Sequence, residues 1–204
     1  MMDMSRKYFI WVFFVFSLSC SSDGDSGGDN QPIGETVDKT PNQQAVGDAA
    51  QDLLIDETFT SLYLELYYVE GLRPGSETID HFTDFLERRL NKPQGIRLEL
   101  FELQSPGKDS YSVADIRTME DDIRTAYNDG SALKVFGLFL DGAYAENTEN
   151  GSVLGIAYRN TSFVLFSETI RKFSGQPLAP STTVLESTVL DHEFGHLLGL
   201  VNAG

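Results

Sequence analysis

The sequence predicts an α/β domain in which about five strands form one mixed, mostly parallel sheet with an antiparallel edge strand. Three observations carry this. Strand-like apolar segments recur five times between Ser61 and Phe166. The first three are separated by amphipathic segments of helical period, and a helix crossover returns the chain so that successive strands pair in parallel. The last two are separated only by Arg159-Asn160-Thr161, a connection too tight for anything but an antiparallel pair.

Taken in order, Ser61 to Val69 alternates Leu62, Leu64 and Leu66 against Tyr63, Glu65 and Tyr67, the period of a strand. Gly71 and Pro74-Gly75 end it, and Ser76 is expected to cap a helix to about Leu90 with Ile79, Phe82, Phe85, Leu86 and Leu90 as its stripe. Ile96 to Leu103 is the second strand, closed by Pro106-Gly107. Ser112 caps a second helix that turns Val113, Ile116, Met119, Ile123 and Tyr127 inward and closes near Asn128 and Gly130. Apart from Lys134, Leu133 to Leu140 is a continuous apolar run, as expected of a strand buried on both faces. Residues 141–152 read as a polar loop, and Val153 to Tyr158 and Ser162 to Phe166 as the closing hairpin. A loop bearing Gly175, Pro177 and Pro180 leads to the last helix. Thr182 or Thr183 is its expected cap, with Glu186 completing a capping box, and Val184, Leu185, Val189, Leu190, Phe194, Leu197 and Leu198 make a broad apolar face.

That last helix ends in His192-Glu193-Phe194-Gly195-His196, an H-E-x-x-H. Histidines four apart lie about 40° apart around a helix, so both imidazoles can reach one metal ion while the glutamate between them faces the ion's open side. Gly199 stands where a helix end needs a residue able to take positive φ, which swings the chain round just past the second histidine. The competing reading, two satisfied core histidines, leaves Glu193 as an unexplained polar group on a buried face.

The string H-E-F-G-H-L-L-G-L over residues 192–200 resembles the zinc signature of the metzincin metallopeptidases, H-E-x-x-H-x-x-G-x-x-H/D. The resemblance implies His192 and His196 as zinc ligands, Glu193 as general base and Gly199 as the turn toward a third ligand. It also implies an upper half-domain in which an antiparallel edge strand borders the cleft. The third-ligand position falls on Asn202, a poor zinc ligand. Three explanations stand side by side: a ligand beyond Gly204 in a longer natural chain, an upstream carboxylate or His81, or a site that has lost its metal. Val153, Gly155 and Tyr158 mark a candidate substrate-binding edge, since glycine lets another backbone approach and an edge strand offers unpaired amides. Plain sheet structure explains the same residues. Asp191 is a candidate partner for a histidine ligand, or a solvated helix residue. Peptide deformylases share H-E-x-x-H, but their third ligand is an upstream cysteine, and the sole cysteine here is Cys20.

Cys20 belongs to a leader. Arg6 and Lys7 precede an apolar run from Tyr8 to Leu18, too short to span a bilayer. Ser17-Leu18-Ser19-Cys20 resembles a bacterial lipobox with Ser17 in the usual leucine position, and an ordinary signal peptide with an incidental cysteine is the alternative. Residues 1–19 are therefore expected to be a lipoprotein signal, Cys20 the lipid acceptor, 20–48 a polar tether, and 49–204 the catalytic domain, incomplete at its C-terminal side. A lone cysteine allows no internal disulfide. The formal charge of −16, from 15 basic and 31 acidic residues, argues against nucleic acid as a partner. The expected protein is a membrane-anchored envelope lipoprotein, periplasmic or surface-exposed. As an enzyme it hydrolyses peptide or protein substrates with a zinc-activated water; as a non-catalytic module it keeps a degenerate metzincin-like fold.

Overall fold

The alternating leucines of β1 (Ser61–Val69) sort its side chains onto two faces, and the sheet grows outward from that strand. In the computed structural model, which describes residues 37–200, β1 runs parallel to β2 (Ile96–Leu103) on one side and to β4 (Ala132–Leu140) on the other. β7 (Ser162–Phe166) continues the parallel set beside β4, and β6 (Gly155–Arg159) pairs antiparallel with β7 at the edge. The order is β2-β1-β4-β7-β6, the mixed α/β sheet with one antiparallel edge strand that the pattern predicts.

Each face buries its own core. Leu62, Leu64 and Leu66 of β1, Leu133, Val135 and Phe139 of β4, and Phe163 and Leu165 of β7 meet Phe82 and Leu86 of α2 (Ser76–Arg89) and Leu190 and Phe194 of α5 (Thr182–Leu197). The opposite side chains, among them Tyr67, Phe136, Leu138, Val164 and Phe166, meet Tyr111 and Ile116, the latter on α3 (Val113–Ile123). A Cβ on Gly137 of β4 would sit 2.5 Å from Leu66 Cδ2 and 2.6 Å from Phe163 Cζ, so glycine there lets those two side chains close the layer beneath the motif helix. Phe194 meets Phe82 and Phe163 edge-on at 5.5 and 6.5 Å between centroids. This ring cluster fixes the height of α5 over the sheet.

Several elements depart from the sequence reading for local reasons. Ser76 is the first residue of α2, and Gly75 holds the cap position without a side-chain bond. Ser112 does cap α3, in a capping box with Asp115, but the helix ends at Ile123. Beyond it Arg124 turns inward, its guanidinium bonded to Glu120, Ser162 and the Lys134 carbonyl, and the backbone N–H groups of Thr125 and Ala126 donate to the buried Glu65 carboxylate. The polar loop 141–152 contributes β5 (Ala143–Tyr144), which pairs with β3 (Ser110–Tyr111) in a small second sheet. α4 (Ser167–Ser174) fills part of the stretch read as loop; with Ile170 and Phe173 as its only large apolar residues, it offers no periodicity to detect.

The packed body also begins earlier than residue 49. A 3-10 turn over Thr40–Asn42 and the helix α1 (Ala50–Leu54) lie on the domain. Asn42 is fully buried, its side-chain NH2 donating to Asn128 Oδ1, the Lys134 carbonyl and Thr161 Oγ1, and its Oδ1 accepting from the Asn128 N–H. Residues 37–48 of the expected tether therefore belong to the fold, tied by hydrogen bonds that an apolar count cannot register. No helix among the described residues is long and apolar enough to cross a membrane.

Candidate metal centre

The helix that carries the motif starts at a serine and ends at a glycine. Ser181 Oγ accepts the Val184 N–H, so the cap lies one residue before the expected threonines. Glu186 takes no part in capping: it is buried, with Thr78 and Arg171 as its polar neighbours, and burial pushes its carboxyl pKa up. At the other end Gly199 has φ +84°, as its position predicts. Its N–H donates to the His196 carbonyl and the Leu200 N–H to the Gly195 carbonyl, the paired bonds of a Schellman turn, with the Leu200 side chain closing over Gly195. Gly47 and Ala50 pack against this turn, so the N-terminal segment backs the end of the motif helix.

The turn has a chemical consequence. It carries the Leu200 carbonyl to 2.7 Å from His196 Nδ1. A carbonyl only accepts, so Nδ1 holds the proton, and in the neutral ring Nε2 is left as an acceptor. His192 Nε2 lies 3.1 Å from His196 Nε2, with the rings 4.6 Å apart and nearly perpendicular. Two nitrogens bound tetrahedrally to one zinc at its usual bond length stand about 3.3 Å apart. The 3.1 Å contact meets the geometry of a hydrogen bond between the two rings, and its length is also close to the spacing of two nitrogens on one zinc. Neither imidazole belongs to the core, since His192 is exposed and His196 half-buried, which removes the core-histidine reading.

Glu193 is the buried member of the motif, 4% exposed. Burial raises its pKa to about 7, against the opposing pull of the His196 imidazole and the Ala157 N–H. A carboxylate poised there exchanges protons near neutral pH. Its position depends on β6: a Cβ on Gly155 would fall 2.7 Å from both Glu193 Cγ and Oε1, and 2.8 Å from Val189 Cγ1. The space over Gly155 is therefore filled by α5, where the sequence reading had left it for an incoming backbone.

The backbone of the same strand faces the other way. The Phe166 N–H donates to the Leu154 carbonyl, and Gly155, Ile156 and Ala157 pair with Leu165, Val164 and Phe163. By the alternation of an antiparallel ladder, the amides and carbonyls of Gly155 and Ala157 point away from β7 to the outer edge. Of the other candidate edge residues, Val153 precedes the strand, its N–H donating to Asn147 Oδ1, and the Tyr158 side chain is buried in the core of the far face. Ala157, which the sequence did not single out, joins Gly155 on the edge; only the ladder register reveals it.

His81 and Asp191 also meet, at 2.9 Å between Nε2 and Oδ2, across α2 and α5. Asp191 thus serves His81 and not a histidine of the motif. Among the described residues, no group of three or more His, Cys, Asp or Glu side chains is placed to hold one metal ion. Asn202 and Cys20 lie outside the described residues. Comparisons with protein-family models, with curated proteins and with solved structures return no match to this chain.

Proposed function

We propose that this chain is a zinc-dependent endopeptidase, held at a bacterial envelope membrane by a lipid on Cys20. The observation that carries the reading is the 3.1 Å separation of His192 Nε2 and His196 Nε2, with the His196 tautomer set by the Leu200 carbonyl. Zinc, when bound, supplies Lewis acidity toward water and the peptide carbonyl. The rest falls to the chain's own groups. His192 and His196 hold the ion, and Glu193 takes the proton of the attacking water and returns it to the departing amine. The outward N–H and C=O groups of Gly155 and Ala157 pair with an extended peptide, laying it beside Glu193. The third ligand is proposed to come from beyond Gly204.

A two-donor site among the described residues also suits the second reading, a non-catalytic envelope lipoprotein that keeps the fold without the chemistry. Zinc retention and peptide cleavage, measured together, separate the two. The 204-residue chain is expected to lose zinc on mild chelation, whereas a form extended at its C-terminal side retains one equivalent and cleaves a mixed peptide library, and His196→Ala loses both. A zinc-loaded extended form that cleaves nothing would favour the binding module.

A further inference from the structure

The motif helix packs on the edge of the sheet over a residue with no side chain. A Cβ on Gly155 would lie under 3.0 Å from three side-chain atoms, and all three belong to Glu193 and Val189 of α5. Glycine is a poor strand residue on propensity, and β6 is an edge strand where nothing in the ladder demands it. The φ of Gly155 lies outside the positive range, so backbone conformation does not require glycine either. What does require it is the room taken by the Glu193 carboxylate. Glu193 is thus located by β6 as well as by its own helix.

We infer that Gly155 is a positioning residue for Glu193: its missing side chain lets the carboxylate settle against the edge of β6, on the strand proposed to hold the peptide. This rests on the peptidase reading for its catalytic consequence, but the placement itself is a packing fact that can be tested without turnover. Substrate and general base then share one strand, so pairing a peptide with β6 aligns its carbonyl with Glu193. A methyl at position 155 must push the carboxylate away or lift the helix, and a shift of about 1 Å in a reacting group can cost on the order of 100-fold.

The test is a coupling cycle with two readouts, on the full-length zinc-loaded protein. Gly155→Ala is expected to lower Tm by roughly 3–10 °C, the effect of overpacking by one methyl. In a Val189→Ala/Glu193→Ala background, which removes the atoms in the way, the same change should move Tm by less than about 2 °C. On peptide substrate, Gly155→Ala should lower kcat roughly 10- to 100-fold with zinc content unchanged and KM moved less, and should have no further effect on the residual rate of Glu193→Gln. If Gly155→Ala alone does not accumulate, its recovery in the Val189→Ala background supports the placement, and failure in both backgrounds overturns it. Equal Tm losses in the two backgrounds, or an equal fractional loss of rate with and without the Glu193 carboxylate, would overturn the inference. A parent that passes the stability cycle yet cleaves nothing would instead sink the peptidase reading.

Discussion

Glu193 sits where its own charge is penalised, and that has a measurable sign. Its folded pKa of about 7 stands above the ordinary 4.5, so in the metal-free chain folding favours the protonated form. The associated stability is fully present below about pH 4.5 and is lost as pH rises through 7, an effect on the order of 3 kcal/mol. Urea unfolding of the metal-free protein at about pH 4.5 and pH 8 should show this loss in the parent and its absence in Glu193→Gln, other groups cancelling in the comparison. Parallel pH dependence of the two proteins would show that Glu193 is solvated as in water. That His192 and His196 meet on one face of a helix was legible from spacing alone, because a helix fixes which residues share a face. The Leu200 carbonyl that orients His196 was not, since a backbone atom has no letter in the sequence; Gly199 hinted only at the turn that delivers it.

At the scale of elements, the Schellman turn joins helix termination to ligand orientation. Gly199→Ala places a Cβ in the left-handed region, at a cost of about 1–2 kcal/mol. The account predicts that loss in thermal unfolding, together with faster release of zinc to a chelator, because the Leu200 carbonyl moves with the turn. Destabilisation with unchanged zinc release would uncouple the two. Elements with strict alternation, a long apolar run or a full helical stripe, such as β1, β4 and α2, could be read from the pattern. α4 could not, nor could the two-residue strands β3 and β5, because each is held by its surroundings rather than by periodicity. The cap of α5 slipped from threonine to Ser181 because three hydroxyl residues in a row compete for one position, and geometry alone decides between them.

Across the whole molecule, the N-terminal segment connects the expected anchor to the site. Asn42 bonds to Asn128, to Lys134 of β4 and to Thr161 in the β6–β7 turn, so Asn42→Ala leaves the partly buried Asn128 N–H and Lys134 carbonyl without that partner. A loss of about 2–3 kcal/mol in denaturant unfolding is expected. In a lipid-modifying bacterial host, Cys20→Ala should release the protein from membranes; equal retention would replace the lipid with an uncleaved leader as the anchor. That residues 37–48 pack on the domain was hidden from composition, because polar residues that satisfy buried backbone groups look the same in sequence as polar residues that only meet water. The parallel and antiparallel senses of the strands, by contrast, followed from connection lengths that leave few topologies open. The proposed function reduces to one proposition, that His192, Glu193 and His196 form a hydrolytic zinc site. Peptide hydrolysis by the full-length protein and its Glu193→Gln variant, matched for zinc content, tests it most directly. The account predicts that the variant keeps its zinc and its fold but retains at most about a hundredth of the parent rate at neutral pH; equal rates, or a fully zinc-loaded parent that cleaves no peptide, would contradict it.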